Sequence, residues 1–268
     1  MTTGSDLKSG NPAFSEEVMS TYLAPTRTQT TPATMTVAGV VVKTAILLAV
    51  LIAGGIWGWA SATDPVAEDI GSGYAHTTVT IPGGFWLASF AAFFVAILTA
   101  LNPRRAAVLG GIYALLEGYV LGAISAMFDA QTEGIVGAAV LSTVCVFLVA
   151  LVLYLTRIIK PTRRMAFGVS AAIGGLCLLY FVVAIVSLFD WEWLYSDEFQ
   201  TIGIIVTLIA VILAALSLTL DFASIEGGVA TGAPKFMEWY AAYGLMVTLI
   251  WLYLILLRLL AWVARARN

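Results

Sequence analysis

Seven apolar runs, each near the roughly 20 residues an α-helix needs to cross a bilayer, dominate this 268-residue chain. They are Val37–Ala60, Phe85–Leu101, Ala106–Met127, Gly134–Leu155, Phe167–Phe189, Ile202–Leu220 and Trp239–Val263. A backbone in lipid must satisfy its own hydrogen bonds, so runs of this length fold as helices. The expected fold class is all-α: a polytopic membrane protein with seven transmembrane helices, here helix 1 to helix 7, in one domain over residues 36–264. The links are too short for a soluble catalytic domain. Residues 1–35 are polar and rich in Thr, Ser and Pro, and read as a disordered cytoplasmic tail rather than a cleaved signal peptide. Residues 265–268 form a C-terminal tail.

Composition sharpens the exclusions. The chain is 60% hydrophobic and only 11% charged, far from the usual soluble balance. A net charge of −3 offers no basic surface, so no nucleic acid partner is expected. The two cysteines, Cys145 and Cys177, lie inside apolar runs and read as small apolar fillers.

The few charges give an orientation. Lys8, Arg27 and Lys43 accompany the tail and the start of helix 1, with Lys43 expected to snorkel to the headgroups. Arg104 and Arg105 lie in the helix 2–3 link, and Arg157, Lys160, Arg163 and Arg164 in the helix 4–5 link. The alternate links hold only acids: Asp64, Glu68, Asp69, Asp129, Glu133, Asp190, Glu192, Asp197 and Glu198. The positive-inside rule then places the N-terminus in the cytoplasm and, after seven crossings, the C-terminus outside. Arg258, Arg265 and Arg267 strain that rule at the last helix. Trp57, Trp59, Trp86, Trp191, Trp193, Tyr195 and Trp262 mark the outer interface, and Trp239 and Tyr240 the inner one.

Carboxylates at membrane depth cost about 2.5–3.5 kcal/mol on insertion scales, so each asks for a reason. Glu117 lies eleven residues into helix 3, about 16 Å along its axis. It flanks a stripe of small residues, Gly110, Ala114, Gly118, Gly122 and Ala126, of the kind that packs helices closely. Both a hydrogen-bonded protonated acid and an ion or proton site fit Glu117. Asp221 is expected to close helix 6 near the cytoplasmic end, on a face with Ala210, Ala214 and Ser217. Glu226 follows it, then Gly227, Gly228 and the break ATGAPK.

Nothing points to catalysis. The only histidine, His76, is in an outer loop, and no H-E-x-x-H, Walker A or G-x-G-x-x-G motif is present. No enzyme, catalytic residue, metal site or cofactor is expected.

Two segments carry a resemblance. They are YALLEGYVLGAIS over Tyr113–Ser125, and LTLDFASIEGGVATGAPKFMEWYAAYGLMVTLIWLYLILLRLL towards the C-terminus. With the seven-helix plan, they resemble the bacterial branch of the Bax inhibitor-1/YccA family, the transmembrane Bax inhibitor motif proteins. The resemblance runs from about Val37 to Leu260, with EG-x-x-LG-x-x-S and LDF-x-x-IE its most specific parts. It implies six helices around a central seventh, a location in the bacterial cytoplasmic (inner) membrane, and a pH-sensitive calcium leak. In that scheme two aspartates on helices 6 and 7 share a proton and latch the pore. Asp221 matches the first, while the helix 7 partner position falls on Thr248, a departure. A second departure is Ile255, where a glutamate is frequent. Glu117 and Glu226 then become the candidates to couple with Asp221.

Two carboxylates sharing a buried site titrate as a pair. Their separation on deprotonation would open a polar path, and oxygen ligands suit calcium. The resemblance also implies a second class of function, a partner that modulates a membrane-anchored AAA protease, for which the long tail could serve. A secondary transporter ranks third, since it needs broken helices around a substrate cavity. The oligomeric state is not legible.

Overall fold

The computed structural model describes residues 34–64, 78–187 and 197–267. Among them are seven helices: α1 (Val37–Ala62), α2 (Phe85–Leu101), α3 (Ala106–Gln131), α4 (Ile135–Leu155), α5 (Arg163–Val186), α6 (Asp197–Ala230) and α7 (Met237–Arg267). Six are long and apolar enough to cross a membrane, and α2, of 17 residues, is a shorter apolar helix. Beyond the helices, β1 (Thr63–Asp64) pairs antiparallel with β2 (Thr78–Val79). The tail to Ala33, His76, Glu68, Asp69, Asp190, Glu192, Trp191, Trp193 and Tyr195 lie outside the described residues.

Local chemistry sets the ends of these helices. Pro103 opens a 3-10 turn (Pro103–Arg105) leading into α3, where its missing N–H is no loss. Gly134 takes a positive φ of 79° in the tight turn before α4. The Thr162 hydroxyl caps α5 by accepting from the Met165 N–H at 3.1 Å.

The end of α6 corrects the sequence reading. Asp221 does not close the helix. The helix runs on through Glu226, Gly227 and Gly228 to Ala230. It stops at Gly232, whose φ of 69° suits a residue without Cβ. There the Ala233 N–H donates to the Gly228 carbonyl at 2.9 Å and the Gly232 N–H to Val229 at 3.1 Å. That pair of bonds is a Schellman motif. Glycines inside a helix cost only about 1 kcal/mol each, so a glycine pair does not break one.

Helix α7 occupies the centre. It packs against α1, α3, α4 and α6, and reaches α2 through Tyr243, whose hydroxyl donates to the Ala96 carbonyl at 3.3 Å. By contrast α5 packs chiefly on α6 and is the least buried of the six long helices. Its outward residues Phe167, Leu178 and Phe181 are exposed, as lipid-facing side chains are. Cys145 and Cys177 are likewise exposed and unbridged.

The closest approach is between α1 and α3. A Cβ on Gly118 would fall on the Leu51 carbonyl, and one on Gly122 on the Gly55 carbonyl. Reciprocally, Gly54 meets the Leu115 carbonyl and Gly58 that of Tyr119. Backbone therefore touches backbone along this seam, as small residues in membrane helices permit. Gly110 instead faces Leu47 and Tyr243.

Candidate functional site

Four of the acids on the described helices, Asp221, Glu117, Glu226 and Glu238, fall in four different settings. Asp221 sits inside α6, nine residues or about 13.5 Å from the helix end. Its carboxyl lies beside the Thr248 hydroxyl of α7. The same hydroxyl reaches the Gly244 carbonyl of its own helix at 3.3 Å. The Asp221 Oδ2 atom is buried with no hydrogen-bond partner. A buried polar atom without a partner costs about 1–3 kcal/mol, so this seam holds an unmet demand for a proton, a cation or water. The small residues Ala210 and Ala214 on α6 are fully buried.

Glu117 is half-buried on α3. It lies within electrostatic range of Tyr113 and Tyr243, whose rings meet edge-on at 5.4 Å. Counted from the starts of their helices, Glu117 and Thr248 are each eleven residues in, about 16 Å along the axis. They therefore stand at a similar depth, Glu117 on α3 and Thr248 on α7. No hydrogen bond or ion pair joins Glu117 to Asp221 among the described residues.

Glu226 is exposed and accepts a hydrogen bond from the Tyr154 hydroxyl at the end of α4. Five residues along α6 turn it about 140° away from Asp221 and lift it about 7.5 Å towards the helix end. Glu226 thus belongs to the bundle surface near Arg157, not to the Asp221 seam.

Glu238 is the acid that the sequence reading passed over. It is fully buried in the first turn of α7. It forms ion pairs with Lys43 of α1 and, at 2.8 Å, with Lys235. It also accepts from the Thr36 N–H at 2.8 Å and the Thr36 hydroxyl at 2.9 Å. These are the only ion pairs among the described residues. Lys43 therefore does not snorkel to the headgroups; it is drawn inward because a buried carboxylate needs a counter-charge, and its ammonium also lies 5.4 Å from the Trp239 ring. Gly39 makes the room, since a Cβ there would strike the carboxylate. The available signal was Lys235 three residues before Glu238 at a helix start, where a carboxylate is favoured by the dipole.

Two further polar contacts lie on α7 and on the link before it. The Ser125 and Tyr253 hydroxyls lie 2.6 Å apart, and Met35 anchors the chain before α1 through its N–H to the Ala233 carbonyl at 2.8 Å. Among the described residues no group of three or more His, Cys, Asp or Glu side chains comes together.

Seven apolar helices with a buried central member and acids in their seams define a multi-pass α-helical membrane protein. Residues 11–265 match the Bax inhibitor 1 like family, and the chain belongs to it. No curated protein and no solved structure matches the chain.

Proposed function

We propose that this protein is a pH-sensitive cation leak, with calcium as the cargo, and that it acts without chemical conversion of what it passes. The observation that carries this reading is the buried, unpartnered Asp221 Oδ2 at the α6–α7 seam, facing Thr248. A protonated Asp221 can donate to a neighbouring oxygen and hold the helices together. Loss of that proton leaves a carboxylate that favours cations and water, which loosens the seam. Leak therefore rises as pH rises through the titration of Asp221. Thr248 replaces a second carboxylate, so one titrating group at this seam sets the response. Glu117, at similar depth on α3, supplies a second acid along the path. The distribution of Lys and Arg favours an N-terminus in the cytoplasm and a C-terminus outside, and the family resemblance favours the inner membrane of a bacterium.

The test is calcium-dye flux into proteoliposomes across the acid-to-neutral range. Wild-type flux should rise with pH, and Asp221→Asn should flatten the profile. No flux at any pH from folded protein would overturn the proposal.

A second reading, modulation of a membrane-anchored AAA protease, draws on residues 1–33, which precede the anchored Thr34–Thr36 segment. Deletion of residues 1–33 separates the two. Flux should survive it, whereas loss of protease binding with flux absent throughout would favour the partner role.

A further inference from the structure

The last helix keeps three arginines, Arg258, Arg265 and Arg267, on the side where basic residues are otherwise scarce. Arg258 and Arg265 are seven residues apart on α7, hence on one face and about 10.5 Å apart along its axis. Arg258 lies 21 residues beyond Met237, about 31 Å along the helix. The hydrocarbon core is about 30 Å thick, so Arg258 stands at the level of the headgroups on the side away from Lys43. Neither arginine has an ion pair among the described residues. Arg258 stacks over the Tyr180 ring of α5 at 5.1 Å, and Arg265 donates to Gln131 Oε1 at 2.9 Å.

Three adjoining clefts connect these groups. One of about 250 Å³ lies between the ends of α3 and α7, beside Phe128, Thr132 and Arg265. The next, about 190 Å³, holds both Arg258 and Arg265 in its wall. The third, about 100 Å³, lies where α5, α6 and α7 meet, with Val183, Ile202 and Arg258 in its wall. Asp129 in the last turn of α3 and Glu133 on the α3–α4 turn line none of the three, and Asp129 accepts from the Gly134 N–H at 3.1 Å.

We infer that these clefts form a site for one anionic phospholipid. The phosphate sits between the two guanidinium groups, whose planar forks suit phosphate oxygens. An acyl chain enters the apolar cleft between α5 and α6, which is open on the lipid side because α5 packs so lightly. Two like charges at headgroup depth, neither of them ion-paired among the described residues, favour a lipid of net negative charge over a zwitterionic one. Such a lipid would also tie the loosely held α5 to α7. The inference is independent of conduction.

The test is thermal unfolding of the full chain in neutral detergent with added phosphatidylglycerol, phosphatidylcholine or inorganic phosphate. Phosphatidylglycerol should raise the melting temperature of the wild type, and the other two should not. Arg258→Gln with Arg265→Gln should abolish the shift; Arg265→Gln alone, at an exposed position, should reduce it. An equal phosphatidylglycerol shift in Arg265→Gln and wild type would overturn the site. An equal shift from phosphatidylcholine would overturn its charge selectivity, and one from inorganic phosphate would overturn a lipid as the occupant.

Discussion

Helices α1 and α3 meet through glycines, carbonyl against Cα, whereas α6 and α7 meet through Asp221 and Thr248 with a buried oxygen left over. The first seam has one solution. Its helices touch along Gly54, Gly58, Gly118 and Gly122, and any added atom strikes backbone. The ion-paired Glu238 fixes the start of α7 to α1 in the same way, with Lys43, Lys235 and Thr36 all engaged on its carboxylate. The second seam has more than one solution, because a Thr248 hydroxyl can serve Gly244 or Asp221 and one carboxylate oxygen has no partner. On the proposed function, the first seam holds the bundle together and the second is the one that opens.

The comparison can be broken at several points. The largest effect is expected from Glu238→Ala. It strands Lys43 in a buried site and should cost about 3–5 kcal/mol, read as a collapse of the melting temperature. Should the variant unfold at the wild-type temperature, the α1–α7 anchor is not a rigid element. Gly122→Ala comes next, with a loss of about 1–3 kcal/mol from overpacking against the Gly55 carbonyl. A neutral outcome in thermal unfolding would mean that α1 and α3 can separate without penalty. Tyr154→Phe removes one bond to the exposed Glu226 and should cost about 1 kcal/mol or less, with the pH profile of flux unchanged. A shifted profile would bring Glu226 into the gating seam. Asp221→Asn should change stability least, by within about 1 kcal/mol, since the acid is already under-satisfied. It should nonetheless flatten the pH dependence of flux.

Some of this was legible in the sequence and some was not. The seven helices follow from hydropathy, and Phe85–Leu101 was read to the residue. The end of α6 was misplaced by ten residues, because the apolar run stops at the acidic Asp221 while the actual stop needs Gly232 in a left-handed conformation. That error put Asp221 at a water-exposed helix end instead of inside the helix. Counting along the family resemblance points to Thr248 as the helix 7 position opposite Asp221, and its hydroxyl lies beside that carboxyl. Glu238 was hidden because its meaning lies in Lys43 and Thr36, about two hundred residues away, which no local pattern connects. The α1 half of the glycine seam was hidden likewise: Gly54 and Gly58 show their purpose only against α3.

The central claim is that the α6–α7 seam opens while the α1–α3 seam does not. The most direct measurement is labelling of a single cysteine, at Thr248 or at Gly55, by a membrane-impermeant maleimide in a background without Cys145 and Cys177. Labelling at Thr248→Cys should increase with pH, and Gly55→Cys should stay unlabelled throughout. Thr248→Cys that remains unlabelled at every pH, in protein that still conducts, would contradict the account.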